Sequence, residues 1–304
     1  MTDVWGELAV AIPTYRRPEA LEATLRWLRA QTTLPREIII LDNDPLGSAS
    51  RVVEGLQPEL HPVEIRYVRL GRNAGPAGSY ATAVNLLAES KRTWMMCSDD
   101  DSEDDSTSRI ERYRAFVHDS AHLAPAAIGI SGARWDVESS TLIRLPDHEL
   151  VSRFASSDCI PGPGLPLYNL RELARLNVSF RDELFFGFEE LAIGLDIRHH
   201  GGLILVDGPA ALERRARMGM LGPGAGKRME RRTSPWRSYF RHRNRLAVAK
   251  RYGSRGGTSR LAARSLARAL ADGAQGRRDQ AIAAFRGGVD GLTGRDRWSS
   301  RYIP

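Results

Sequence analysis

The chain has 304 residues, 42% of them hydrophobic and 27% charged. That mix excludes disorder throughout and suits one large α/β domain or two modest ones. The net charge of +7 is divided unevenly: residues 227–304 hold 20 Lys and Arg against 5 Asp and Glu, a local +15, so the preceding 226 residues carry −8.

Leu8-Ala9-Val10-Ala11-Ile12 reads as a buried strand ended by Pro13. Pro18, with Leu21, Leu25 and Leu28 at helical spacing, predicts a helix behind it. Glu37-Ile38-Ile39-Ile40-Leu41 is a second buried strand, stopped by Asp42-Asn43-Asp44-Pro45, and residues 63–70 form a third, less regular one. The turn-rich stretch 71–78 leads into a helix holding Ala83, Val84, Leu86 and Leu87, and residues 94–98 are the fourth strand. Beyond an acidic loop a helix is expected over 106–118, then a pair of strands at 128–135 and 141–145 and a rigid turn at 159–164. A short helix at 171–176, a longer one at 189–199 ended by Gly201-Gly202, and a last strand at 203–206 follow. Residues 219–226, flanked by Arg214-Arg215 and Lys227-Arg228, read as a mobile basic loop. Helices near 235–252, 259–270 and 277–289 complete the chain. Alternating strands and helices at this spacing predict a parallel sheet with helices on both faces. No stretch approaches the roughly 18 apolar residues of a membrane span, and residues 1–5 show no signal peptide. Of the two cysteines, Cys97 is expected to be a small core residue, and a cytoplasmic location is expected.

The most informative segment is Trp94-Met95-Met96-Cys97-Ser98-Asp99-Asp100-Asp101. A buried strand ends in three adjacent carboxylates, whose mutual repulsion raises the cost of ionising them all unless a cation sits among them. At the carboxyl end of a sheet, such hard oxygens suit Mg²⁺ or Mn²⁺ held against a phosphate-bearing ligand. The run continues through Ser102-Glu103-Asp104-Asp105, and one of these residues is expected to cap the following helix. The first strand lacks the glycines of a dinucleotide fold, and no P-loop is present, so nucleotide recognition must use side chains and metal. Tyr15 is placed to stack on a base and Asp42 to accept a hydrogen bond from it.

Five blocks in order, Val10 to Arg17, Ile40 to Asn43, Asn73 to Gly78, Asp99 to Asp101, and Leu184 to Glu190, resemble the family 2 glycosyltransferases of the GT-A fold over roughly residues 7 to 210. Pro235-Trp236-Arg237-Ser238-Tyr239-Phe240-Arg241-His242-Arg243-Asn244 is similar to the tail of the rhamnosyl- and galactofuranosyl-transferase-like members. The resemblance implies a single open, mostly parallel α/β sheet flanked by helices over residues 1–226, with a basic C-terminal helical region over 227–304. It implies inverting transfer of a sugar from a UDP- or dTDP-sugar to an acceptor hydroxyl of a glycan, a lipid-linked or a small molecule. By that likeness Pro13, Thr14, Tyr15 and Arg17 line the nucleotide pocket, Asp42 touches the base, and Asn73 and Gly78 seat the nucleotide. Asp99 and Asp100 also reach the nucleotide sugar, and Asp158 lies beside the donor sugar with the 161–164 turn. Asp101 and Asp99 would ligate Mg²⁺ or Mn²⁺, with Glu213 where some relatives carry a histidine ligand. Glu190 is the expected general base and Glu189 the second choice; a further acid found in many relatives is here Ala192. Arg214 to Arg232 is expected to close over the diphosphate as a lid.

A sugar nucleotidyltransferase would carry a basic, glycine-rich segment after the first strand, where this chain has Pro13-Thr14-Tyr15. A nucleic-acid binder fits the tail but not the acidic front, so no nucleic-acid partner is expected. An inactive nucleotide-sugar-binding homologue is a third alternative, given Ala192 and Glu213. In the tail, Arg260, Arg264 and Arg268 recur beside Leu261, Leu266 and Leu270, and Ile282, Phe285, Val289 and Leu292 form an apolar stripe. Contact with a membrane surface is one reading of that pattern. Packing on the catalytic domain, or against a second copy in a homodimer, is preferred.

Overall fold

The computed structural model describes residues 7–90, 92–101, 106–222 and 234–304. Its core is an eight-stranded sheet, with strand order β3-β2-β1-β4-β9-β5-β10-β8. The strands are β1 (Glu7–Thr14), β2 (Glu37–Asp42), β3 (Glu64–Arg69), β4 (Arg92–Cys97), β5 (Ala127–Gly129), β8 (Phe154–Ser156), β9 (Leu167–Asn169) and β10 (Ile204–Asp207). β1, β2, β3 and β4 are mutually parallel, as are β5 and β10, while β9 runs antiparallel to β4 and β5, and β8 to β10. The predicted mostly parallel α/β sheet is therefore present. A separate hairpin of β6 (Ala133–Asp136) and β7 (Thr141–Arg144) stands beside it; the strand expected over 128–135 is divided between β5 of the main sheet and β6 of this hairpin.

Both faces of the sheet are covered. On one, α1 (Pro18–Arg29), α2 (Ser50–Leu60) and α4 (Arg109–Ser120) bury Leu21, Leu25, Leu56 and Phe116 against Val10, Ile12, Ile38 and Ile40. On the other, α3 (Gly75–Ala88), α5 (Leu170–Leu176) and α6 (Glu189–His199) pack Tyr80, Leu173 and Ile193 against Ala9, Ile39 and Met95. Alternate residues of a strand face opposite ways, so β1 and β2, apolar at nearly every position, must be covered twice. Cys97 and Cys159 are buried free thiols.

Two expectations need correcting. α4 begins three residues later than predicted, and its first turn is capped by a distant side chain: Gln31 Oε1 accepts from the Arg109 and Ile110 amides at 3.0 and 3.3 Å. Residues 102–105, the expected caps, lie outside the described residues. The segment expected to close as a lid begins in a helix: α7 (Gly208–Arg217) includes Arg214 and Arg215, and buried Arg215 donates to the Leu145 carbonyl and to Asp147 at 2.8 and 2.6 Å. Residues 214–217 are thus helical with Arg215 anchored, and residues 223–233 of that segment lie outside the described residues.

The C-terminal helices are α8 (Pro235–Tyr252), α9 (Arg255–Ala274) and α10 (Arg278–Thr293). α8 is the joint. Trp135 Nε1 donates to its Tyr252 carbonyl at 3.0 Å, Arg251 reaches Asp196, and Phe240 packs on Phe185 with ring centroids 4.6 Å apart. α10 lies so close on α8 that a Cβ at Gly287 would meet the Tyr239 carbonyl oxygen at 2.3 Å, and one at Gly291 the Arg243 carbonyl oxygen at 2.4 Å. Glycine permits that approach because it has no side chain.

Candidate active site

The carboxyl ends of β1, β2 and β4 lie side by side, where open α/β sheets bind ligands. The acidic turn after β4 is fastened there: Thr14 Oγ1 donates to Asp100 Oδ2 at 2.9 Å, and Thr24 Oγ1 to the Asp100 carbonyl at 2.7 Å. Arg17 bridges the turn, donating to Asp100 at 2.8 Å and Asp101 at 2.7 Å. Asp100 is buried and fully engaged, whereas Asp101 is half exposed. Asp99 is exposed where it lines the cavity over this turn. Crowding by protein, then repulsion from Asp101 and Asp100, push its pKa up to about 6 despite Arg17.

The other acidic pair opens α6. Glu189 is buried, with no hydrogen-bond partner for its Oε2, and burial and then Glu190 hold its pKa well above the usual carboxylate range. Burial pushes Glu190 up to about 7; its own backbone amide opposes that rise, and Asp99 adds to it. Asp99 raises the pKa of both glutamates, so the acidic turn and the head of α6 share one field. The 161–164 turn closes on Glu190 as well: a Cβ at Gly162 would lie 2.7 Å from Glu190 Oε1.

The loop that presents this pair is strained. Phe185, Gly187 and Phe188 all have positive φ, +59°, +76° and +73°, which costs about 1–3 kcal/mol at each non-glycine position. Buried Asn244 of α8 holds it, donating from Nδ2 to the Leu184, Phe186 and Gly187 carbonyls at 2.7, 3.0 and 2.9 Å. Its neighbour Arg243 donates to the Glu183 carbonyl at 2.8 Å. In Asn244→Ala these buried carbonyls lose their donor, at a cost of about 1–3 kcal/mol. The expected result is a melting temperature lower by several degrees and a kcat reduced more than donor affinity, read by calorimetry and steady-state kinetics.

A cavity of about 330 Å³ lies over the acidic turn. It brings together the predicted Pro13, Thr14, Tyr15, Arg17, Asn73, Asp99, Asp100 and Asp101. Sequence reasoning gave no role to Asn43, Phe185, Phe186, Trp236, Arg237 and Pro304, which line it too. The signal for the aromatic wall was the Pro235 to Asn244 block: Trp236 packs edge-on against Phe186 at 4.8 Å, and the Arg237 guanidinium lies 5.3 Å from the Phe186 ring centre. The Pro304 carbonyl accepts from Tyr15 Oη at 2.9 Å and Asn73 Nδ2 at 3.1 Å.

Other predicted residues stand elsewhere. Asp42 is fully buried below the cavity, where its carboxylate accepts from the Asp44 and Ala49 amides and from Tyr67 Oη at 2.9, 3.0 and 2.7 Å. With both carboxylate oxygens engaged, it shapes the turn after β2; buried Asn43, one residue on, lines the cavity instead. Gly78 lines a neighbouring depression with Asn73. Asp158 accepts from the Trp135 amide at 2.9 Å and pairs with Arg198 at 3.3 Å. Glu213 of α7 is held by Arg112 at 2.9 Å, which lowers its pKa, and does not line the cavity. Among the described residues no three metal-ligating side chains cluster. Asp99 and Asp101 still fit Mg²⁺ or Mn²⁺, since such ions are often held by one or two carboxylates plus substrate phosphates, and Asp99 has no cation of its own beyond distant Arg17.

Residues 9–155 match the family profile described as Glycosyl transferase family 2. Galactofuranosyltransferase GlfT1 of Mycobacterium tuberculosis (strain H37Rv) is 34% identical over 92 residues, 30% of this chain and 29% of that protein. Succinoglycan biosynthesis protein ExoM of Rhizobium meliloti is 36% identical over 134 residues, 41% of each chain. The matches thus span well under half the length of these relatives. Among solved structures, TarS 1–349 of S. aureus in complex with UDP-GlcNAc superposes with a TM-score of 0.51 at 12% identity, covering 96% of this chain and 93% of that one. Mannosyltransferase PcManGT from Pyrobaculum calidifontis, in complex with GDP-Man and Mn²⁺, gives 0.50 at 18% identity, covering 96% and 88%. Residues 9–155 are thus similar in sequence to the family 2 glycosyltransferases, and the chain has the GT-A type fold.

Proposed function

We propose that this protein is an inverting glycosyltransferase that moves a sugar from a UDP- or dTDP-sugar to an acceptor hydroxyl. The observation that carries this reading is the placement of Asp99 and Asp101 at the rim of a cavity walled by Tyr15, Asn73 and Trp236. The nucleoside enters that cavity, with the Trp236 and Tyr15 rings as stacking surfaces and Arg17 and Arg237 near the diphosphate. Mg²⁺ or Mn²⁺ at Asp99 and Asp101, when bound, neutralises charge growing on the departing diphosphate.

Glu190 takes the acceptor's proton. As the acceptor oxygen bonds to the anomeric carbon, the bond from that carbon to the diphosphate oxygen breaks and the electron pair leaves with the nucleotide. The attack comes from the face opposite the leaving group, hence inversion. Of the two glutamates, Glu190 is the better base. Burial and then the neighbouring Glu190 hold the Glu189 carboxyl well above the usual carboxylate range, whereas Glu190 titrates near 7. The 1–226 segment is the catalytic unit in this reading and 227–304 its helical complement, with Asn244 and Trp236 joining the two. The acceptor is a glycan, a lipid-linked or a small-molecule hydroxyl. A thermal-shift screen with UDP-, dTDP- and GDP-sugars, with and without Mn²⁺, tests the proposal: one donor stabilises the chain only with metal. No shift with any donor would refute it.

The segment ending at Pro304 competes for this cavity. Tyr302 stacks on Tyr239 with centroids 4.4 Å apart, and so holds the Pro304 carbonyl on Tyr15 and Asn73. Donor entry must break those two hydrogen bonds. Tyr302→Ala is expected to tighten nucleotide binding by about 2- to 10-fold, the worth of one ordinary hydrogen bond, as measured by titration calorimetry. Weaker binding would instead make the segment a wall of the site.

A further inference from the structure

The α9 and α10 helices leave a broad apolar face uncovered. On α9, Leu266 and Leu270 are 49% and 67% exposed; on α10, Ile282, Phe285 and Leu292 are 46%, 52% and 39% exposed. Between the helices runs an apolar groove of about 260 Å³, lined by Leu246, Ala262, Leu266, Phe285, Val289 and Leu292. Isolated exposed leucines are ordinary, but a contiguous patch of this kind marks an interaction surface. The inward faces are already used: Leu261, Ala269, Ala283 and Gly287 are buried, so packing within the chain does not account for the outer stripe.

Charge decides what covers it. The two helices contain Arg255, Arg260, Arg264, Arg268, Arg278 and Arg286 and no lysine. Against these stand three carboxylates, of which Asp272 and Asp290 are buried, leaving Asp279 as the exposed one. Where α9 meets α8 the cations crowd one another: Arg264 and Arg241 both lower the pKa of Arg245, after its burial, and Arg241, Arg245 and Arg268 act likewise on His242. A two-fold contact with a second copy sets a patch against itself and would oppose these arginines to one another. A surface of anionic headgroups over apolar chains complements both halves of the pattern. We infer that the α9–α10 face docks the protein on an anionic lipid surface, with Leu266, Leu270, Ile282, Phe285 and Leu292 entering the headgroup–acyl boundary and Arg255 and Arg278, on the same helix faces, meeting lipid phosphates.

This inference does not depend on the transferase reading, because its test needs no turnover. The full chain is co-sedimented with phosphatidylcholine vesicles with and without phosphatidylglycerol, and its mass in solution is measured by light scattering. Binding to the anionic vesicles and not to the neutral ones is expected. The double variant Leu270→Ser/Phe285→Ser should lose it at an unchanged melting temperature, since both side chains are exposed. Arg255→Glu/Arg278→Glu, which leaves the apolar stripe intact, should weaken partitioning by at least about 25-fold, roughly fivefold for each arginine removed. Failure to sediment with anionic vesicles overturns the inference, as does wild-type binding by either variant. A solution dimer that Phe285→Ser dissociates, without vesicle binding, assigns the face to a second copy instead.

Discussion

Glu190→Gln lowers kcat by about 10²–10⁴-fold while leaving the donor dissociation constant unchanged. That range is what a positioned proton acceptor contributes to a transition state. The amide keeps the size and the hydrogen-bonding surroundings of the side chain but cannot take the acceptor's proton, and Glu190 does not line the cavity assigned to the nucleotide. Single-turnover kinetics alongside calorimetry separate the two effects. Normal turnover in this variant would remove Glu190 from the role. A matched loss of binding and turnover would make it a structural support.

The same group sets a pH dependence whose sign differs for stability and activity. Its pKa is raised from 4.5 to about 7 in the fold, so the folded chain holds a proton that the unfolded chain releases between those values. The unfolded state therefore binds fewer protons in that window, and the Glu190 contribution makes the fold less stable as pH rises from about 4.5 to 7. Activity runs the other way. The base works when deprotonated, so kcat/KM climbs about tenfold per pH unit below 7 and levels off above it. In Glu190→Gln the residual rate should lose that limb. The opposing slopes have one cause, burial of a carboxyl group where chemistry needs it.

How far the sequence disclosed this arrangement depends on what each element needed. Strands buried on both faces, such as Glu37–Asp42 and Arg92–Cys97, declare themselves as unbroken apolar runs. The helix at Glu189–His199 was legible to the residue, because its acidic start and glycine stop are local signals. α2 was not read at all. Its buried stripe of Val53, Leu56 and Leu60 is interrupted by Gly55 and Pro58, two residues that normally argue against a helix, and packing on the sheet overrides them. The three-residue strands Phe154–Ser156 and Leu167–Asn169 are too short to carry a period, and only their neighbours make them strands. Within the site, the cavity-lining residues that follow β1 and β4 were predictable from where those strands stop. The burial of Asp42 was not. It follows from Tyr67, 25 residues away, and from the Ala49 amide, a meeting that no local pattern encodes. The hold of Asn244 on the Phe185–Phe188 backbone is likewise a long-range contact, of a polar residue in a helix that reads simply as basic.

Asp101→Ala and Asp99→Asn each abolish metal-dependent donor binding, and they do so by different routes. Asp101 is half exposed, and Arg17 already neutralises it at 2.7 Å. Removing its carboxylate deletes an oxygen ligand and frees Arg17 to turn toward Asp100 alone or toward the diphosphate. Some metal-independent donor affinity is therefore expected to survive in Asp101→Ala. Asp99 has no such partner, and its raised pKa records burial first and then an excess of negative charge that a divalent ion would relieve. Asn at that position relieves it without the ion. It should lower the pKa of Glu190, which Asp99 now raises, and shift the activity limb to lower pH even as metal affinity falls. Outer-shell partners of a bound metal are commonly worth 10- to 100-fold in affinity, so a direct carboxylate ligand should cost at least about that much. Calorimetric titration of Mn²⁺ and donor into each variant, paired with the pH profile of residual turnover, distinguishes them. If both variants bind donor and metal as the parent does, the cation lies elsewhere, and the residues at 102–105 become the place to look. If Asp99→Asn alone moves the pH limb, the acidic turn and the head of α6 act as one electrostatic unit. Placing Asp99 between donor and base then serves two ends: it holds the ion against the leaving group, and it keeps Glu190 basic enough to take a proton from a hydroxyl.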